Sequence, residues 1–166
     1  MSHVYAVRCN FSRPDLEQAW HAWYSGPKLA EMMTHPLFLS GQRYRASGLD
    51  QRVIYLAAWV VESPAAFETP QYRASWGFAD WAPHITDWSR NLFRGPESDV
   101  SDLLEDLRAK RPDVLWMPVV GLDRSCPAIG LRQLAAGAEA APLPDTLAAG
   151  IRQTVYTPIT PRRRAA

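Results

Sequence analysis

An excess of either charge is missing from this sequence. Eighteen Lys and Arg stand against 17 Asp and Glu, a net charge of +1 over 166 residues. Such a chain lacks the one-signed field that draws proteins onto nucleic acid or anionic membrane, and neither is expected as a partner. Cysteine is scarce: Cys9 lies in an apolar run and Cys126 in a turn-like stretch, with no CxxC and no metal-ligand spacing. Reduced thiols in a cytoplasmic protein are the expectation. The opening Met-Ser-His-Val-Tyr has no basic segment followed by an apolar one, so no secretory signal is read there. No apolar run approaches the ~20 residues of a membrane span. The four histidines, His3, His21, His35 and His84, include no two at ligand spacing and no HExxH, which argues against structural zinc. GxGxxG and GxxxxGK are absent, and Gly121-Leu-Asp-Arg-Ser125 lacks the GxSxG spacing of a nucleophile elbow. No metal and no cofactor is expected.

What the chain has in quantity is aromatic surface: seven Trp, six Tyr and five Phe. Burying one such ring removes ~150–250 Å² from water, so the set must fill a core, an interface or an apolar pocket. Apolar residues make up 47% and charged residues 21%, a globular profile, and the length suits one domain with a substantial core. Arg162-Arg163-Arg164, after Pro158 and Pro161, reads as a solvated end.

His3–Phe11 alternates, with Tyr5, Val7, Cys9 and Phe11 on one face, which predicts a strand. Ser12 is placed to cap a helix carrying Leu16, Ala19, Trp20, Trp23 and Tyr24 as its apolar stripe, interrupted at Gly26-Pro27 and resuming over Lys28–Met33. Phe38–Ser47 predicts a second strand with Arg43 and Arg45 on its outer face. Arg52–Glu62 predicts a third, apolar on both faces and therefore central in a sheet covered on both sides. Ser63-Pro64 opens a helical segment through Ser75, irregular at Pro70. Trp76–Trp88 is read as partly helical and Arg90–Arg94 as a short closing strand. Beyond it, Ser98–Arg111 predicts a helix with Leu103, Leu104 and Leu107 inward. Val114–Leu122 with Ala128–Leu134 predicts a hairpin, Ala135–Gly150 a loop and Ile151–Ile159 a last strand.

The order strand, helix, two strands, helix, strand is that of a ferredoxin-like βαββαβ unit. The expected fold is α+β. Residues 1–95 form this unit and residues 96–166 a C-terminal helix-plus-strand extension packed on the same core. The doubly apolar third strand needs a cover on the sheet's second face, and the simplest is the same sheet of a second subunit in a symmetric homodimer.

Trp20-x-x-Trp23-Tyr24, Pro36-x-Phe38, Arg43-Tyr44 and Tyr55-Leu56-Ala57 together resemble the dimeric α+β barrel superfamily, in particular its small EthD-like and polyketide-cyclase-like proteins. That pattern carries Trp-Tyr-Asp-x-x-His on the first helix and Pro-Gly-Phe before the second strand. Here Ser25 and Lys28 stand in place of the Asp and His, and Leu37 in place of the Gly. The resemblance implies a barrel with an apolar pocket, and it extends to cofactor-free monooxygenases and to haem binders. The loss of the helix acid and histidine implies chemistry that is absent or moved.

Several groups are candidates for that chemistry. His21, Tyr24 and Lys28 fall at i, i+3 and i+7, one face of a continuous helix, and form a plausible acid–base set; the alternative makes Tyr24 core and the other two solvated. Lys28 would serve as a Schiff-base amine only in a desolvated pocket, whereas a helical lysine is ordinarily exposed. His35 lies in a turn at a pocket mouth. Trp81, His84 and Trp88 share a helical face with Asp80 four residues before His84, which makes His84 the first choice of catalytic base. The alternative is an aromatic core face, and Pro83 disturbs either alignment. Arg90 and Asn91 would anchor a carboxylate or carbonyl, or else form an edge-strand ion pair. Trp20, Trp23, Tyr44, Trp59, Tyr72, Trp76, Trp81 and Trp88 would shape the cavity.

The expected function is a small cofactor-independent enzyme. It binds a hydrophobic, aromatic or polyketide-like molecule and drives cyclisation, dehydration, isomerisation or decarboxylation by proton transfer. A cofactor-free monooxygenase of the same fold and a non-catalytic ligand-binding or accessory protein are the alternatives.

Overall fold

The computed structural model describes residues 2–95, 102–144 and 150–166. Its first strand, β1 (His3–Phe11), follows the predicted alternation: Tyr5, Val7 and Cys9 are buried on one face and Ala6 on the other. The first helix, α1, starts only at Glu17 and runs to Trp23. Ser12 does not cap it; its amide donates instead to the His84 carbonyl at 2.9 Å. At Gly26-Pro27 the chain neither breaks nor stays α-helical. Pro27 has no N–H to give and its ring crowds the carbonyl four residues back. Tyr24–Lys28 therefore opens into a π turn, closed by the Leu29 amide on the Tyr24 carbonyl, before α2 (Leu29–Met32) resumes.

The hairpin strands β2 (Phe38–Leu49) and β3 (Tyr55–Val61) follow, with Leu37 ahead of β2 at φ 67°, the left-handed region that favours glycine. Ser63 makes no side-chain capping bond to the short 3₁₀ stretch Pro64–Glu68. The helix proper, α3 (Pro70–Ser75), is capped by Thr69 Oγ1, which accepts from the Tyr72 amide, with Pro70 in the first turn. A second 3₁₀ stretch, Ala79–His84, leads into β4 (Ile85–Arg94), which is longer than the five residues expected. Pro83 ends the helical turn and β1 offers partners back to Phe11, so Trp88 is a strand residue. Next come α4 (Asp102–Lys110), β5 (Leu115–Leu122), β6 (Ala128–Leu131), β7 (Thr154–Pro158) and a two-residue β8 (Arg163–Arg164). The first part of the helix expected over Ser98–Arg111 lies outside the described residues.

The strands form one curled antiparallel sheet, a half-barrel in the order β6-β5-β4-β1-β3-β2-β7, with β8 beside β2. The architecture is α+β and barrel-like. The arginine tail is more than a solvated end: its side chains are exposed, but its backbone pairs with Ser40 and Gly41.

One sheet face carries the main core, where α1, the π turn, α2 and α3 cover Tyr5, Val7, Tyr55, Ala57, Trp59 and Leu92. The opposite face is partly covered by the chain itself: Met117 and Ile129 of the β5–β6 hairpin pack with Ala6, Leu56 and Phe93. Along β3, Tyr55, Ala57, Trp59 and Val61 are buried while Leu56, Ala58 and Val60 are half-buried. Part of the apolarity on its second face thus serves the hairpin. Arg43 corrects the expected orientation of β2. It points to the helix-covered face and is 1% exposed.

Candidate functional site

Beneath the helices lies a cavity of about 30 Å³. Its lining comes from five places in the chain: Val7 of β1, Tyr24 and Lys28 of the π turn with Met32 of α2, Trp59 of β3, Tyr72 of α3 with the following Trp76-Gly77-Phe78, and Trp88 of β4. The walls are aromatic and there is room for about one or two water molecules. Trp76 and Trp88 stack at 6.3 Å as the outer wall, 47% and 41% exposed. The loop carrying Trp76 has no regular structure, and Gly77 sits at φ 95°.

Lys28 overturns the expectation of an exposed helical lysine, being only 6% exposed. The π turn rotates it away from the His21 face and towards α3, where Nζ donates to the Ser75 carbonyl in a short contact and lies 3.4 Å from the Glu31 carboxylate. Burial pulls its pKa below the usual lysine range, and Glu31 opposes that shift. Next to it, His35 Nε2 lies 3.0 Å from Ser75 Oγ, whose own proton goes to the Gln71 carbonyl at 3.0 Å. His35 is therefore the donor at Nε2, and Nδ1 is left buried without a partner. Burial lowers the His35 pKa, and the Lys28 charge adds to that against the pull of Glu31.

Across the cavity the Tyr72 hydroxyl meets that of Tyr5 at 3.1 Å and accepts from Arg90 Nη1 at 3.5 Å. Burial, then the neighbouring Tyr72, drives the Tyr5 phenol well above its usual range. The Arg90 guanidinium covers Trp76 at 4.5 Å and Trp88 at 5.5 Å, with Asp123 3.9 Å away. Arg90 thus stands beside the aromatic wall. Asn91 does not. It is buried against Ser125, where its side chain donates to Oγ at 2.8 Å and accepts from the Ser125 amide at 2.9 Å, fixing the β5–β6 connection to β4.

The other candidates fall elsewhere. His21, expected to share a face with Tyr24 and Lys28, instead meets the Tyr55 hydroxyl at 3.3 Å, and Tyr55 donates onward to Glu17. Burial, then the Arg43 charge, depresses His21 to about 4. Trp20 is wholly buried, stacked on Phe11 at 4.7 Å, and Trp23 and Trp81 face each other at 6.4 Å. Tyr44 donates to Gln42 at 2.8 Å. His84 lies edge-on to Phe11 at 5.9 Å, and among the described residues no hydrogen bond joins it to Asp80. The helical face proposed for Trp81, His84 and Trp88 does not form, because β4 begins at Ile85.

Sequence reasoning missed Arg43. Its guanidinium lies between Tyr24 at 4.1 Å and Trp20 at 4.8 Å, donates to Ser25 Oγ at 2.8 Å, and keeps Nη2 buried without a partner. It also missed Ser75 and Glu31, for which only the Lys28-x-x-Glu31 spacing offered a signal. Among the described residues no three His, Cys, Asp or Glu stand together to hold a metal ion, and no helix is long and apolar enough to cross a membrane. No protein family, no curated protein and no solved structure matches this chain.

Proposed function

We propose that this chain binds a small, planar, hydrophobic molecule, aromatic or polyketide-like, in the Tyr24–Trp59–Trp76–Trp88 cleft, and catalyses a proton-transfer step on it. Cyclisation, dehydration, isomerisation or decarboxylation fits this chemistry. The base is Lys28 rather than His84. The observation that carries the reading is a nearly buried amine on the wall of an aromatic cavity. Desolvation lowers the cost of deprotonating an amine, which is what a base near neutral pH needs. Arg90 and the Tyr72 hydroxyl supply donors for an oxygen that gains charge as the proton leaves. The cavity is too small for such a ligand as it stands, so the Trp76-Gly77-Phe78 segment must swing outward on binding.

The order β4-β1-β3-β2, antiparallel throughout, supports a ferredoxin-like unit at the centre of the sheet. The left-handed Leu37 supports the superfamily resemblance, since it keeps the backbone of a Pro-Gly-Phe turn without its glycine. A second copy closing the half-barrel into a homodimer completes this reading.

The test is Kemp elimination of nitrobenzisoxazole, a planar probe that reports a desolvated base. Turnover is expected to rise with pH through a midpoint below the lysine value of 10.5, and to disappear in Lys28→Met. Undiminished turnover in that variant would remove Lys28 as base. Binding of the probe without turnover would favour the accessory-protein alternative.

A further inference from the structure

We propose that Lys28 forms an imine with an aromatic aldehyde or ketone held in this cleft, so that the protein handles its carbonyl ligand covalently. This rests on the reading of the cleft as a ligand site and adds the ligand's functional group to it.

Three observations converge. Lys28 and Lys110 are the only lysines in the sequence, the other sixteen basic residues being arginine. A chain that meets its needs for positive charge almost entirely with arginine keeps at the cavity wall the one cation whose nitrogen can become nucleophilic; guanidinium stays protonated. Among the described residues the acid paired with Lys28 Nζ is Glu31 at 3.4 Å, which is half-exposed rather than buried with it. Apart from Lys28 the cavity wall is mainly aromatic, which suits an aryl group.

In the step, an Nζ proton passes to Glu31 and the nitrogen lone pair attacks the carbonyl carbon. The C=O π pair moves to oxygen, which takes one of the two protons left on nitrogen, giving a neutral carbinolamine whose nitrogen has its lone pair back. The proton held by Glu31 passes to that hydroxyl, which leaves as water while the nitrogen lone pair forms the C=N bond of an iminium. The iminium is an electron sink for the neighbouring carbon, the demand shared by cyclisation and decarboxylation.

The experiment uses the full chain with benzaldehyde and sodium cyanoborohydride near neutral pH, which reduces any imine to a stable benzyl amine. The site is read by peptide mass spectrometry, and benzyl alcohol serves as an unreactive control ligand followed by tryptophan fluorescence. The expected result is one benzyl group on Lys28, blocked by excess benzyl alcohol and absent from Lys28→Met. Lys110, an exposed residue paired with Asp106 at 2.7 Å, and the terminal amine provide internal references within the same sample. Labelling spread over these amines, or confined to them, overturns the proposal. If benzyl alcohol binds while Lys28 stays unlabelled, the imine falls and the ligand site stands. If benzyl alcohol does not bind either, both fall. Because the label is mapped on the unaltered protein, poor folding of Lys28→Met would not protect the idea.

Discussion

Acidification should destabilise this protein through His21. Burial, then the nearby Arg43 charge, with Glu17 opposing and Arg45 adding to the effect, holds the imidazole at about 4 against an ordinary 6.5. The unfolded chain takes up that proton near 6.5 and the folded one only near 4, so between those values the unfolded state binds more protons. Stability is complete above 6.5, falls as pH drops through the window, and stops falling on this account below about 4. At about 1.4 kcal/mol per pH unit the gap sets an upper bound of about 3 kcal/mol. The ring is only half-buried and solvent screens it, which brings the expected loss to about 1–2 kcal/mol. His3 and His35 are also lowered and lose stability in the same direction, so wild type alone cannot isolate His21. The comparison is with His21→Gln, whose amide can still donate to Tyr55. Denaturant titration of both proteins at either end of the window should show wild type losing about 1 kcal/mol more than the variant. Equal losses would refute the assignment of His21 as a ring held neutral by its surroundings.

Two further substitutions probe the packing around the cleft. A Cβ at Gly41 would overlap the Trp59 ring, which is 1% exposed and lines the cavity. Gly41→Ala should cost about 1–3 kcal/mol in denaturant titration and abolish benzyl alcohol binding, whereas unaltered stability would show that the ring is not pinned. Arg43→Met should leave stability within about 1 kcal/mol of wild type, because it keeps an apolar stem between Trp20 and Tyr24 and removes a buried charge that, among the described residues, pairs with no carboxylate. The same variant should move His21 titration upward, readable by NMR, and a loss of about 3 kcal/mol would mean the guanidinium is compensated after all.

The sheet was legible because strands announce themselves by period two. Tyr5, Val7 and Cys9 of β1, and Tyr55, Ala57, Trp59 and Val61 of β3, are buried as their alternation requires. The use of the other face was harder to read. A strand apolar on both sides reports that something covers it but not what, and here Leu56 packs against a cluster of its own chain that holds Ala6, Phe93 and Met117. The orientation of Arg43 was also hidden, since an arginine on a strand is ordinarily solvated. Here flanking aromatic rings, not a carboxylate, accommodate its charge, and no local pattern encodes rings contributed by a different element.

Two candidate groupings were misplaced, each at a proline: the His84 face, because the helical turn ends at Pro83 and β4 begins at Ile85, and the His21–Tyr24–Lys28 face, because of Pro27. Treating residues 17–33 as continuous α-helix aligns His21, Tyr24 and Lys28. A proline at position 27 makes that geometry untenable, and the chain can respond by kinking, stopping or widening one turn. It widens, and the Leu29 amide closes on the Tyr24 carbonyl five residues back. That extra residue rotates everything after it relative to everything before. His21 is left with Tyr55 and Glu17, while Lys28 is carried to α3 and the cavity. The proposed base is accordingly an amine that the sequence alone assigns to solvent, in place of His84, whose helical face ends at Pro83, and of His21, which the π turn separates from Lys28. The Gly26-Pro27 pair that weakened the first reading is the feature that builds the second.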